Sequence, residues 1–215
     1  GLNGINISLD TLNRVKFKKI TRREELENVL EGLDLAICSG IKSIKVNMVV
    51  MKGFNNDEIT EFVELTKNND ITVRFIELMP FDSHQIWKTG KFYRADHIVN
   101  DLRSHYRTLS PVTGSSTEYY IFKIKEYAGR VAVIPSYTRS LCSACNRIRV
   151  TADGNLLNCL YSRSETNMRD AIRNGMKNEG LKNLIVGSMQ KKLKDGLIAQ
   201  NQGNDSRESM TQIGG

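Results

Sequence analysis

The sequence predicts an α/β fold in which parallel β/α units come first and a smaller α+β region follows. Three observations carry this. Through residues 1–90, runs with two-residue apolar alternation take turns with runs whose apolar residues recur at helical spacing, and strands separated by amphipathic helices pair in parallel. Beyond Pro80 that rhythm stops, and two short strands meet across an Ala128-Gly129 turn, as in an antiparallel hairpin. Three of the four cysteines then crowd into residues 142–159.

Residues 5–9 (INISL) read as the first strand. A helical pattern over 24–39 follows, then a strand over 44–50 (IKVNMVV), a helix over 57–67 and a strand over 71–78 (ITVRFIEL). Units of this kind place their working residues where strands end and loops begin. They are too few to close a barrel, so further strands are expected before Gly1. An irregular segment carrying Trp87, a helix over 95–106 and hairpin strands over 119–125 and 130–135 come next. Ala152-Asp153-Gly154-Asn155 reads as a turn between strands at 148–151 and 156–160. Helices are expected over 168–174 and 180–194, and residues 199–215 as a polar, flexible tail.

With 40% hydrophobic and 26% charged residues in 215, the chain has enough apolar material for a substantial core. Its net charge of +7 favours an anionic partner, whether nucleotide, nucleic acid or acidic protein. No run approaches the roughly 20 apolar residues of a membrane-spanning helix, and none reads as a secretory signal. Cys38 stands alone in a helical stretch, so the cysteines do not pair evenly into disulfides, and a reducing compartment is expected.

Cys142-Ser-Ala-Cys145 sets two thiolates close enough to grip one metal centre, and Cys159 returns to it across the Asp153-Gly154 turn. A structural zinc site wants four protein ligands. His84, His97 and His105 all lie well upstream. A 4Fe-4S cubane held by three thiolates keeps one iron open to a small ligand. The spacing leaves three readings standing: an iron-sulfur cluster, a zinc ribbon borrowing a distant ligand, and a redox CxxC with an incidental third cysteine. Arg147 and Arg149 follow at strand spacing and so share a face. They are either clamps for phosphate oxygens or an exposed basic strand edge.

Taken together, Cys142-Ser-Ala-Cys145-Asn-Arg147-Ile-Arg149, Thr151-Ala-Asp-Gly-Asn, Cys159-Leu and the terminal Gly214-Gly215 resemble the carboxy-terminal cluster motif of the MoaA family, radical S-adenosylmethionine (SAM) GTP 3',8-cyclases. GLNGINISLDTL at the start, KVNMVVMKG from Lys45 and RFIELMPFD from Arg74 extend the resemblance over nearly the whole chain. It implies an incomplete radical SAM β/α barrel over residues 1–90, a domain over 91–198 with a 4Fe-4S cluster and the GTP site, and a tail over 199–215. SAM on a second 4Fe-4S cluster would be cleaved to a radical that removes a hydrogen from C3' of GTP, and attack on C8 of guanine would close the product ring. This would be the first step of molybdenum cofactor biosynthesis.

By matching positions, Cys142, Cys145 and Cys159 would hold the cluster, and Arg147, Arg149 and Lys45 would contact GTP. Ser8 and Met79 would contact SAM, and Gly214 and Gly215 would position a catalytic group. On their own residues, Met79 also reads as core, Ser8 as a strand-end cap, Lys45 as a snorkelling lysine and the two glycines as an ordinary terminus. The CxxxCxxC motif of the SAM-binding cluster is absent from these 215 residues and is expected upstream of Gly1, so the fragment alone is expected to be inactive. The resemblance also implies a homodimer, a cyclic pyranopterin monophosphate synthase of MoaC type as the next enzyme, no nucleic acid and no membrane span. Residues 115–123 (SSTEYYIFK) and Met79-Pro-Phe-Asp82 look closer to eukaryotic members, implying the mitochondrial matrix; a bacterial source would imply the cytoplasm. The rivals are a zinc-ribbon nucleic-acid-binding module and another radical SAM enzyme with an auxiliary cluster.

Overall fold

A computed structural model of the chain describes residues 1–79, 90–112, 119–136, 138, 145–162 and 164–201. In β1 (Gly4–Ser8), β2 (Ser43–Val50) and β3 (Thr72–Glu77) apolar and polar residues alternate, and β2 and β3 bury every second side chain. Between them come α1 (Arg14–Thr21), α2 (Leu26–Cys38) and α3 (Ile59–Glu64), the last preceded by a 3₁₀ turn over Asn56–Glu58. Asn13 caps α1 by accepting from the Val15 and Lys16 N–H groups. α4 (Ala95–His105), β4 (Leu109–Pro111), β5 (Tyr120–Ile124) and β6 (Arg130–Ile134) complete the first unit.

The result is a mixed α/β layer whose six-stranded sheet has the order β1-β2-β3-β6-β5-β4. β1, β2, β3 and β6 run parallel, while β5 and β4 are antiparallel additions. One core joins Val46, Met48, Val73, Phe75, Val131 and Val133 of the sheet to Leu33, Phe62, Ile98 and Leu102 of the helices. The unit therefore runs past the boundary expected at residue 90, to Thr138, because β6 pairs directly with β3. Gly129 makes this possible: a Cβ there would stand 2.3 Å from the Ile71 carbonyl oxygen and 2.6 Å from that of Asn69.

The second unit, described from Cys145 onward, has a small antiparallel sheet of β7 (Arg149–Val150), β8 (Asn155–Leu157) and β9 (Thr166–Asn167). Gly154, at φ +83°, turns the chain between β7 and β8, a conformation glycine adopts without strain. α5 (Met168–Arg173), α6 (Asn178–Gln190) and α7 (Gly196–Asn201) follow. α7 occupies residues at the start of the expected tail, and the rest of that tail, with Gly214 and Gly215, lies outside the described residues, as does the segment carrying Trp87. Among the described residues no helix is long and apolar enough to cross a membrane.

Candidate functional site

In the first unit the register sets Asn6 opposite Lys45 and Ser8 opposite Asn47, then Lys45 opposite Thr72 and Asn47 opposite Arg74. Residues directly opposite share a face, so these six make one polar face. Val46, Met48, Val73 and Phe75, the residues between them, are fully buried on the other. Ser8 is the last residue of β1, and half-buried Met79 lies just past the end of β3, so both stand at the carboxyl edge of the parallel strands. Lys45 sits nearer the amino end of β2 than the strand-end rule suggests, but its four-carbon stem gives the ammonium a long reach.

Sequence reasoning missed two residues of this face. Asn47 Oδ1 and Arg74 Nε are buried without a hydrogen-bond partner among the described residues. Buried polar atoms are nearly always paired, so two on one face suit a ligand that supplies what the protein does not. The Arg74 guanidinium carbon lies over the Tyr119 ring, 5.2 Å from its centroid, in cation–π range. The signal was present, since both residues alternate in step with Lys45.

Bonds behind this face fix the ends of β1 and β2. The Asn55 amide donates to the Asp10 and Val49 carbonyl oxygens at 2.7 and 2.9 Å. Asp10 Oδ1 accepts the Val49 N–H at 2.8 Å. Burial pushes the Asp10 carboxyl above the usual carboxylate range, opposed by that N–H. Buried Glu58 accepts from Thr11 Oγ1 at 2.8 Å, the Leu12 N–H at 2.7 Å and Lys16 Nζ at 2.8 Å, locking the loop after β1.

In the second unit Cys145 stands shortly before β7 and Cys159 just after β8. Arg149 pairs with Leu157 and Val150 with Leu156, so the hairpin brings the two cysteine-bearing segments side by side at its open end. Both cysteines are half-buried and unbridged. Arg147 and Arg149 are half-buried between exposed Asn146, Ile148 and Val150, which puts the arginines on one side of the strand. Lys192 Nζ donates to Cys145 Sγ at 3.5 Å and to the Arg147 carbonyl oxygen at 2.8 Å. A cation on the Cys145 sulfur suits a thiolate there, as in an anionic metal–thiolate centre. The third expected ligand, Cys142, lies outside the described residues.

The cysteine hairpin falls within the match to a family model described as Molybdenum Cofactor Synthesis C, which covers residues 71–197. The chain belongs to the Molybdenum Cofactor Synthesis C family. Residues 1–66 match the Radical SAM superfamily. GTP 3',8-cyclase of Chlorobaculum tepidum is 44% identical over the whole chain, which spans 64% of that protein. Mitochondrial GTP 3',8-cyclase of Arabidopsis thaliana is 39% identical over 89% of the chain and 49% of its own length. Molybdenum cofactor biosynthesis protein 1 of Mus musculus is 42% identical over 89% of the chain and 30% of its own length. The chain thus spans less than two thirds of these relatives of the Molybdenum Cofactor Synthesis C family, and membership with them implies an iron-sulfur cluster and SAM.

Proposed function

We propose that the chain is the carboxy-terminal part of a radical SAM GTP 3',8-cyclase that carries out the first step of molybdenum cofactor biosynthesis. The observation that carries this is the β7–β8 hairpin, which gathers two half-buried, unbridged cysteines at its open end with Arg147 and Arg149 along the same strand segment. Cys145 and Cys159, with Cys142, would hold a 4Fe-4S cluster. When bound, SAM would supply a radical to take the hydrogen from C3' of GTP so that C3' could bond to C8, and the cluster would offer an open iron to the guanine base.

The remaining work falls to the chain's own side chains. Arg147 and Arg149 hold phosphate oxygens through charge-assisted forks, and Lys45 is assigned a GTP contact on the sheet face of the first unit. Ser8 and Met79 contact SAM at the strand edge. Arg74 and Asn47 turn their unpaired polar atoms to ligand groups on the same face. Gly214 and Gly215, outside the described residues, would help to position a catalytic group.

The first unit is read as part of an incomplete β/α barrel, which residues outside this chain complete with a CxxxCxxC motif and a second 4Fe-4S cluster. The second unit is read as the auxiliary-cluster domain. We assign the intact protein to a homodimer that hands its product to a cyclic pyranopterin monophosphate synthase of MoaC type. It would act in the mitochondrial matrix of a eukaryote or the cytoplasm of a bacterium. The test is the intact protein purified without oxygen: iron and sulfide in near-equal amounts with little zinc, and cyclised product from GTP, SAM and reductant. A zinc-filled protein that binds nucleic acid and leaves GTP unchanged would overturn the reading.

A further inference from the structure

We propose that Lys192 is a positioning residue that holds the cluster-bearing segment and raises the reduction potential of the cluster from the ligand side. This rests on the iron-sulfur reading of Cys145 and Cys159. The last turn of α6 meets both cysteine segments. The Ser188 carbonyl oxygen accepts from Asn158, the neighbour of Cys159, at 2.7 Å. Lys192, tied back to that turn by its own N–H on the Met189 carbonyl at 3.0 Å, reaches the other segment. There its ammonium meets the Arg147 carbonyl oxygen and the Cys145 sulfur.

The choice of partners is informative. A surface lysine keeps its head in water or on a carboxylate, yet no carboxylate pairs with Lys192 among the described residues, and its half-buried head ends on a sulfur. A neutral thiol is a weak acceptor for so strong a donor, whereas a cluster thiolate is anionic and attracts it. Three thiolates leave a 4Fe-4S cluster negative, and an added electron makes it more so. A fixed ammonium at one ligand sulfur therefore favours the reduced state, and hydrogen bonds to cluster sulfurs are a known lever on potential. The same ammonium joins Cys145 to the Arg147 backbone, so ligand orientation and arginine placement move together.

The experiment is a mediated electrode titration of the intact protein, with the CxxxCxxC cysteines changed to alanine so that one cluster is followed. Lys192→Gln and Lys192→Met are expected to lower the reduction equilibrium constant by about tenfold, about 59 mV for one electron. Lys192→Arg, which keeps the charge, should stay within about threefold of the parent. Unchanged potentials in the Gln and Met variants, with iron content intact, overturn the inference and leave Lys192 a structural pin. If the neutral variants fail to assemble a cluster that Lys192→Arg assembles, charge at this position is again what the cluster needs. Failure in all three overturns it. A parent protein without iron and sulfide overturns the proposed function itself, and this inference with it.

Discussion

The side-chain amide of Asn158 donates to the carbonyl oxygen of Ser188 at 2.7 Å, and both residues are buried. That carbonyl belongs to the last turn of α6 and also accepts the Lys191 N–H at 3.2 Å. Asn158→Ala removes the shorter of its two hydrogen bonds, so a loss of about 0.5–1.5 kcal/mol in urea unfolding is expected. Iron retention should fall as well, because Cys159 is the next residue. A variant with parental stability and iron content would show that this bond does not hold the cysteine segment.

Each proposed thiolate is expected to be needed to retain the proposed cluster. Cys145→Ser and Cys159→Ser are expected to lose the brown chromophore and most of the iron after anaerobic reconstitution, and Cys142→Ser likewise. Cys38→Ser, on the exposed end of α2, should change neither. Full iron in all three cluster variants would sink the ligand assignment.

The arginines beside Cys145 are expected to serve affinity and not cluster assembly. Losing a hydrogen bond to a charged group removes about 1.5–3 kcal/mol, so Arg147→Ala or Arg149→Ala should weaken GTP binding by about one to two orders of magnitude. Calorimetric titration of the intact protein reads this directly. Lysine at either site keeps the charge without the fork and should recover only part of the loss.

Arg74 gives a separate test on the first unit. Arg74→Gln is expected to weaken one anionic ligand, SAM or GTP, by about tenfold or more while leaving the fold intact. Tyr119→Leu, which removes the ring beneath the guanidinium, should produce a smaller loss in the same ligand. Parallel titrations with both ligands identify which one the sheet face holds, and no change in either would leave the buried Arg74 Nε without a function.

Asp10 makes a prediction about pH. Its carboxyl is held above the usual value of 3.8 by burial, so the folded protein binds that proton more tightly than the unfolded chain does. Its contribution is therefore most favourable below the unfolded value and is lost as pH rises through the higher folded one. Asp10→Asn keeps an oxygen for the Val49 N–H and removes the buried charge. It should match or exceed the parent in stability at neutral pH, with the advantage shrinking on acidification. Denaturation curves in which the advantage grows toward low pH would reverse the sign and refute this.

Much of the first unit was legible because β2 and β3 alternate cleanly and α2 carries Leu26, Leu33 and Ala36 at helical spacing. α1 was not, because RVKFKKIT buries Phe17 alone and depends on the Asn13 cap. Two-residue β9 exists through its pairing with β8, which no local pattern records. The unit boundary escaped for the same reason: nothing in 130–134 says that its neighbour is β3. The cysteines and their arginines are proposed from spacing and resemblance, and the β7–β8 pairing sets the Cys145 and Cys159 segments at one end of the hairpin. Lys192 became visible only through its contacts, whereas Asn47 and Arg74 alternate in step with Lys45 and needed burial only to show their unpaired atoms.

Because β6 lies between β3 and β5, the sheet of the first unit cannot be finished in the order in which a ribosome makes it. While the residues between Glu77 and Arg130 emerge, β3 waits with one edge unpaired. Closure then requires the turn at Gly129 to settle its N–H on the Thr66 carbonyl at 2.8 Å, tight against Asn69 and Ile71, before a buried central strand can slot in. Pairing across such a sequence separation is slow. The nascent protein is therefore most exposed to mispairing in the interval just before its sixth strand arrives.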